Sequence, residues 1–433
     1  MKSRQVMYVT TMTLFVLTLP LQLAAQQYTQ YSVTFLGTLG GTFSEPFGMN
    51  NKGEVNGIST LPGDGSQHAF LWRDGVMTDL ETLGGPNSNG DFGVPFGPNE
   101  RGEVVGGSET SSPDPLGEDF CFFGNNLTCL PFVWKNGVMT PLPTLGGNNG
   151  NAGGINNRGQ VVGTAENTTP DPTCEELGPP LNQVDQIQEK PVIWQEGVIS
   201  ELPTFRGDPD GNANAINDYG WVVGNSGNCS KGPEFALHAL LWQNGGLTDL
   251  GSLGGTLLSA ATNINNQGQV VGLSNLAGDT IQHAFLWTKA GGMQDLGTLP
   301  GDVSSEAKGI NDKGQVVGQS CGQNGCRAFL WQNGVMIDLN TLVPGGGSTF
   351  FMFEAQAINP RGQFVVIAFD TNTGDCCAFL ATPSNSANEN TVLVPHDQAS
   401  QTRNPPLPEN VRNWLQKRMD HRYHIYGFGA PRD

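Results

Sequence analysis

The chain has little charge, and least of all positive charge. Charged residues make up 14% of its 433 residues, and 21 Lys and Arg stand against 40 Asp and Glu, for a formal net charge of −19. Such a chain is repelled by nucleic acid phosphates and by anionic membrane surfaces. The composition therefore argues against nucleic acid and anionic lipid as partners.

Long apolar runs are absent beyond the N-terminus. Lys2 and Arg4 precede an apolar run at 6–23, which ends in Leu-Ala-Ala-Gln at 23–26. A charged start, a short apolar segment and small residues at its end are typical of a secretory signal peptide. We interpret 1–25 as that peptide, with a membrane anchor as the alternative. We therefore predict a secreted protein, extracellular or periplasmic, without a transmembrane anchor.

The sequence offers no catalytic constellation. We find neither a His-Glu-x-x-His motif nor a phosphate loop, and we expect no Gly-x-Ser-x-Gly nucleophile elbow. Carboxylates are plentiful, so a glycosidase-type pair stays open as an alternative. We assign no catalytic residue.

What the chain does have is a phrase that it repeats seven times. The fullest copy, at 307–339, reads AKGINDKGQVVG…RAFLWQNGVMIDL. The other copies lie at 46–80, 95–142, 152–202, 213–250, 261–296 and, truncated, 355–380. A period of roughly 45 residues, rich in strand formers and tight turns, is typical of propeller blades. A β-solenoid is the alternative, although its repeat is usually about half as long.

Each copy is predicted to form four short antiparallel strands. The first turn is Asn-x-x-Gly, in which Asn bonds to its own backbone and Gly supplies a positive φ. Its recurrence in all copies favours turn chemistry over a ligand role, and the Trp that ends the third strand is predicted to pack between blades. The turn residues are Asn50, Asn99, Asn156, Asn217, Asn265, Asn311 and Asn359, and the tryptophans are Trp72, Trp134, Trp194, Trp242, Trp287 and Trp331.

The last copy lacks its fourth strand, and the mature N-terminus has a spare one. The sequence VTFLGTLGG at 33–41 matches the DLGTL that ends the fifth copy at 295–299. We predict that residues 31–37 complete the seventh blade, because closure removes an exposed sheet edge. The predicted fold class is all-β: a seven-bladed β-propeller at 26–384, closed by an N-terminal strand, with a C-terminal helical tail at 385–433.

The phrase His-Ala-Phe-Leu-Trp at 68–72 and 283–287, combined with Ile-Asn-x-x-Gly-Gln-Val-Val-Gly, resembles the bacterial extracellular HAF-repeat family, named for His-Ala-Phe. The resemblance covers about residues 35–380 and implies a secreted repeat protein, but no particular activity. The His position varies between copies, which favours a polar position at the strand edge over a metal or catalytic role. It is occupied by His68, His238, His283, Leu130, Lys190, Arg327 and Cys377.

All eight cysteines fall in the loops between second and third strands, on one face of the propeller. An even number in an exported chain indicates disulfides. The spacing predicts that Cys121–Cys129 and Cys321–Cys326 each close a single loop, and zinc is disfavoured because two CxxC pairs are missing. Two further pairs remain open, between Cys174 and Cys229 in adjacent blades and between the neighbours Cys376 and Cys377.

The same variable face carries the candidate ligand-binding residues. Glu45, Glu306 and Glu354 each lie five residues before a turn Asn, in blades that become neighbours in a closed ring. We predict an acidic patch at the channel mouth from them. Phe350 and Phe351 are candidates for stacking on a ligand, with packing around the closure as the alternative.

Asp208 and Asp210 lie at a spacing found in calcium loops, with a plain Asp/Gly turn as the alternative. Calcium is the one cofactor that the sequence raises.

The C-terminal segment differs from the rest of the chain. Residues 385–408 are rich in Asn, Ser and Pro and are predicted to be a linker. Residues 403–433 carry six Lys and Arg against three Asp and Glu. Apolar residues at helical spacing there predict a basic amphipathic helix, which we expect to dock on the acidic propeller or on a partner, with a membrane surface as the alternative.

The sequence therefore predicts a secreted module that binds or scaffolds an extracellular glycan or protein. The alternative is a polysaccharide-active enzyme that uses carboxylates in the propeller funnel. An envelope structural protein without a small ligand is a third possibility.

Overall fold

A computed structural model shows seven four-stranded antiparallel sheets arranged as the blades of a propeller. The structure describes residues 29–88, 97–171, 187–228, 237–323, 325–344, 349–374 and 376–384. The predicted signal peptide and the predicted helical tail at 385–433 lie outside these residues. Within them the secondary structure is β, apart from two 3₁₀ turns at Phe205–Gly207 and Leu339–Leu342.

The strands follow the chain blade by blade, from the axis outward. The first three blades contain β2 (Ser44–Met49), β3 (Val55–Thr60), β4 (Gln67–Arg73) and β5 (Val76–Asp79); β6 (Gly84–Ser88), β7 (Val104–Pro113), β8 (Leu127–Lys135) and β9 (Val138–Pro141); and β10 (Gly150–Ile155), β11 (Val161–Pro170), β12 (Ile187–Gln195) and β13 (Val198–Glu201).

The next three blades repeat this order. They contain β14 (Asp210–Ile216), β15 (Val222–Gly227), β16 (His238–Gln243) and β17 (Gly246–Asp249); β18 (Gly254–Ile264), β19 (Val270–Leu276), β20 (Gln282–Thr288) and β21 (Gly292–Asp295); and β22 (Ser304–Ile310), β23 (Val316–Gly322), β24 (Gly325–Gln332) and β25 (Val335–Asp338).

The seventh blade joins the two ends of the propeller. It contains β26 (Phe350–Ile358), β27 (Phe364–Asp370), β28 (Cys376–Pro383) and, as its outermost strand, β1 (Tyr31–Phe35). β1 pairs antiparallel with β28 from Tyr31 opposite Pro383 to Phe35 opposite Phe379. The predicted closure by an N-terminal strand is confirmed, and with it the seven-bladed propeller.

The core lies between the blades. The second strand of each blade is buried on both sides, and its apolar residues pack against the next blade, as Val317 does against Met352 and Ala355. The six recurrent tryptophans are between 1% and 9% exposed and join these clusters. Their predicted packing role is confirmed.

The described cysteines pair within single blades, and five of the six lie in strands rather than in the predicted loops between second and third strands. Cys121 is bonded to Cys129, and Cys321 to Cys326, as the spacing predicts. Cys376 and Cys377 form a vicinal disulfide. Cys174 and Cys229 lie outside the described residues, so their pairing stays a prediction.

None of the helical segments in the described ranges has the length and apolar character required to cross a bilayer.

Candidate functional site

The seven turn asparagines form a closed ring around the propeller axis. Each side-chain Oδ1 accepts bonds from backbone N–H groups of its own turn, as Asn217 does from Tyr219 and Trp221 at 3.0 Å. Each Nδ2 donates to the carbonyl of the corresponding Asn in the next blade, at 3.0–3.2 Å in six links and 3.4 Å in the seventh. The predicted turn chemistry is confirmed, and the same side chain also ties each blade to its neighbour.

A second, incomplete ring lies beside the first. In five blades, the residue that follows the ring Asn donates its backbone N–H to the side chain of the equivalent residue in the next blade. The distances are 2.8–3.0 Å. Pro360 in the seventh blade has no N–H and no acceptor side chain, so the ring is interrupted there. The positions are held by Asn51, Glu100, Asn157, Asp218, Asn266, Asp312 and Pro360.

These two rings surround a cavity of about 210 Å³. Turn residues of all seven blades line it, so it opens on the face that carries the short, uniform turns. The cavity is narrow because the inner strands of neighbouring blades approach each other closely. A Cβ added at Gly309 would lie 2.9 Å from the Cα of Ala357 in the next blade. The cavity is smaller than typical small-molecule pockets, which have about 300–1,000 Å³. It therefore suits one protruding group of a larger ligand.

Nearer the variable loops, a buried lysine occupies the inner strand of the sixth blade. Lys308 is 0% exposed, its Nζ is ion-paired with Glu306, and it lies 3.7 Å from Oε1 of Glu354 in the seventh blade. Glu306 also accepts a bond of 2.9 Å from Gln319. Sequence reasoning missed Lys308, although its position two residues after Glu306 on one strand places both side chains on the same side.

The structure therefore brings together Glu306 and Glu354 as predicted neighbours, but around a cation rather than as an open patch. Both carboxylates are less than 5% exposed, and Glu45 is 1% exposed in the first blade. A buried charge is retained only where it is paired, so Lys308 needs these carboxylates. Ligand binding by the three glutamates stays a prediction.

Phe350 and Phe351 are 4% and 3% exposed. Phe350 makes an edge contact with Phe379 at 5.0 Å, and Phe351 makes one with Phe353 at 4.9 Å. Neither ring presents an open face to solvent, and the contacts are those of packing beside the ring closure.

Asp208 and Asp210 are engaged in hydrogen bonds. Asp208 Oδ2 accepts from the Ser226 hydroxyl at 2.6 Å, and Asp210 Oδ1 accepts from the backbone of Glu189 at 3.1 Å. No group of three or more His, Cys, Asp or Glu in the described part of the chain is arranged to hold a metal. Calcium binding by this pair stays a prediction.

The variable His position pairs with an Asp of the fourth strand. Nδ1 of His68 lies 2.9 Å from Asp79, and Nη1 of Arg327 lies 2.9 Å from Asp338. Burial raises the pKa of Asp79, but hydrogen bonds from His68 and from a backbone N–H outweigh it, and the pKa lies below its ordinary value. The same pairing joins His283 to Asp295 at 2.9 Å and His238 to Asp249 at 3.6 Å.

The sequence contained a signal for this pair. In the second blade, the third strand carries Leu130 in place of a polar residue and the fourth strand carries Pro141 in place of Asp. In the blades that carry His or Arg, the position is thus a polar contact between neighbouring strands.

The Gly-x-Ser-x-Gly residue pattern itself is present in the chain, but it does not form a nucleophile elbow. Residues 318–322 read Gly-Gln-Ser-Cys-Gly and match the Gly-x-Ser-x-Gly pattern. They lie within β23, Ser320 is 0% exposed, and its Oγ accepts a bond of 2.9 Å from the backbone of Leu299. A nucleophile elbow requires an exposed Ser on a strand-to-helix turn, so no elbow is formed here.

No protein-family model and no curated protein matches the chain. Among solved structures, the gluconolactonase XC5397 from Xanthomonas campestris shares 11% identity at a TM-score of 0.33, and the match covers 82% of this chain and 91% of that one. The β-propeller domain of the Trilobed protease from Pyrococcus furiosus shares 10% identity at a TM-score of 0.43, and the match covers 78% of this chain and 94% of that one. The SapL1 lectin in complex with alpha methyl fucoside shares 11% identity at a TM-score of 0.31, and the match covers 69% of this chain and 96% of that one. These likenesses concern the fold alone. The seven four-stranded sheets themselves show that the chain is a β-propeller.

Proposed function

We propose that this protein is an exported, non-catalytic module that binds or scaffolds a glycan or protein ligand. The observation that carries the proposal is the state of the funnel carboxylates. Glu306 and Glu354 are buried and paired with Lys308, so neither is placed to reach a sugar as an acid or a nucleophile. Glycoside hydrolysis needs two carboxyl groups that flank an accessible bond.

The rigidity of the ring supports the same function. Seven amide–carbonyl links join the blades around the axis, and β1 closes the sheet array. A pre-organised surface loses little conformational entropy when a ligand binds. Such a frame suits the presentation of fixed polar groups to a large partner.

Export and family membership belong to the proposal. The three disulfides among the described residues are typical of an oxidising compartment. Together with the N-terminal pattern at 1–25, they support a secreted or periplasmic location. The repeated phrase supports membership of the HAF-repeat family.

The test is a binding screen of residues 26–433 against a broad panel of polysaccharides, with and without calcium, followed by analysis of released products. We expect a bound polymer and no product. Released sugar that disappears in Glu306→Gln and Glu354→Gln, but not in the exposed-site control Glu201→Gln, would replace this proposal with the enzyme alternative. A calcium requirement would support Asp208 and Asp210 as ligands, and binding to no glycan would direct the search to protein partners.

A further inference from the structure

The residue two places after each ring Asn is exposed in all seven blades, and five of these residues are basic. This enrichment is strong in a chain that has only 21 Lys and Arg in 433 residues. The seven positions are Lys52, Arg101, Arg158, Tyr219, Gln267, Lys313 and Arg361.

Ring closure makes these five cations consecutive. In sequence they fall into two groups, in blades one to three and in blades six and seven. Because β1 closes the seventh blade and the Asn359 side chain bonds to Asn50 of the first, blades six, seven, one, two and three are neighbours. The cations therefore form one continuous arc around the mouth of the axial cavity, which we call the basic arc.

The basic arc is held in place by contacts with the following blade. Lys52 Nζ donates to the Glu100 carbonyl at 2.5 Å, and a Cβ added at Gly53 would lie 3.0 Å from Nη2 of Arg361. Arg101 donates from Nη1 to the carbonyl of Asn157 in the third blade, and it is also paired at 2.5 Å with Glu103 of its own blade. In contrast, none of the ion pairs among the described residues involves Arg158, Lys313 or Arg361.

The gap in the arc carries an exposed aromatic ring. Tyr219 in the fourth blade is 65% exposed, and its ring centroid lies 5.7 Å from that of Trp221. It neighbours Asp218, one of the polar residues that line the cavity. An exposed aromatic face beside carboxylate and amide acceptors is suited to the apolar face and hydroxyl groups of a sugar.

We propose that the turn face binds an acidic polysaccharide, a polymer of carboxylate-bearing sugars. The basic arc would pair with its carboxylates, Tyr219 would stack on a sugar ring, and the axial cavity would receive one hydroxyl-rich group. The inference rests on the proposed binding function and names its face and ligand class. The net charge of −19 opposes a polyanion only weakly at physiological salt, because charges more than about 8 Å apart are screened and the charges nearest the ligand dominate.

A nucleic acid fits this face less well. The carboxylates of Glu100, Asp218 and Asp312 surround the axis inside the arc, where a phosphate backbone would meet them. A polysaccharide offers hydroxyl donors to the same oxygens. The observations therefore favour the sugar polymer.

The test measures binding of polygalacturonate, and of neutral dextran as the uncharged polymer, to residues 26–433. The triple variant Arg158→Gln/Lys313→Gln/Arg361→Gln is expected to weaken polygalacturonate binding about tenfold at low salt, with a smaller difference at high salt. Tyr219→Ala is expected to weaken it severalfold at both salt concentrations. The matched control is Arg206→Gln compared with Arg158→Gln, because Arg206 is exposed in a blade-to-blade link, on the opposite face.

The outcomes separate this inference from the proposed function. Failure to bind polygalacturonate, or equal losses in Arg206→Gln and Arg158→Gln, would overturn the turn-face site. Dextran bound as tightly as polygalacturonate would overturn the acidic ligand and leave the binding function intact. Tighter binding of single-stranded DNA than of polygalacturonate would overturn the polysaccharide assignment. The melting temperatures of all variants are expected to be unchanged, which would show that a loss of binding does not come from a loss of folding.

Discussion

At the residue scale, Asn56 differs from its equivalents in the other blades. It is the second residue of the second strand, is 0% exposed, and neither its Oδ1 nor its Nδ2 has a hydrogen-bond partner among the described residues. The other six blades have valine there, each 0% exposed: Val105, Val162, Val223, Val271, Val317 and Val365. A buried amide without partners costs about 1–3 kcal/mol.

We predict that Asn56→Val raises the free energy of unfolding by about 1 kcal/mol, because it removes this cost and adds apolar contact. The reverse change, Val271→Asn, should lower it by about 1–3 kcal/mol. Urea unfolding of both variants and the parent checks the pair. A lower free energy of unfolding for Asn56→Val than for the parent would contradict the prediction and would show that the Asn56 amide stabilises the fold.

At the element scale, the second and third blades carry the extended hairpins. β7 and β11 have 10 residues each, and their blades are joined at the loop end by one amide. Nδ2 of Asn149 lies 3.0 Å from Asp114, 3.3 Å from Glu118 and 3.0 Å from Glu166, and its Oδ1 accepts from the backbone of Cys129. Burial raises the pKa of Glu166, and the charge on Asp114 adds to this, against the hydrogen bonds from Asn149.

We predict that Asn149→Asp destabilises the protein at neutral pH by about 3 kcal/mol, because it replaces the shared donor with a further buried carboxylate. When the pKa of a carboxyl group is raised in the folded state, the folded protein loses stability as the pH rises toward that raised pKa. The defect should therefore shrink as the pH is lowered from about 7.5 to about 4.5. Thermal melts across this range check it, with the exposed turn substitution Asn244→Asp as a control that should show no such recovery.

At the scale of the whole molecule, the first and the last described strands pair in one sheet. β1 covers the edge of β28, and Tyr31, Val33 and Phe35 pack into the core of the seventh blade. Without β1, the third strand of that blade would become an open edge. Open edges are sites of aggregation.

We predict that a chain of residues 37–433 melts well below residues 29–433 and aggregates on heating. Loss of one strand removes both its backbone bonds and three core side chains. Light scattering during a thermal ramp checks this, and a synthetic peptide of residues 29–37 should restore part of the stability by adding back the missing strand. Equal melting of the two chains would mean that closure contributes nothing to stability.

Much of the architecture is legible in the chain because it depends on neighbours in sequence. The Asn-x-x-Gly turns follow from side chains that bond to their own backbone, and the recurrence of Trp follows from one packing position per copy. Two disulfides follow from cysteines eight and five residues apart. The spare strand at the N-terminus was predictable because a truncated seventh copy requires a complement.

The contacts between blades were decided by the tertiary structure. These contacts are Lys308 between Glu306 and Glu354, the ring of asparagine bonds and the basic arc. They join residues about 45 or more positions apart, or the first blade to the seventh. Sequence by itself determined the strands, their turns and the number of blades, since these arise within each repeat. Which faces meet, which charges are buried and where the cavity opens depend on how the repeats pack once the ring has closed, and no single repeat contains that information.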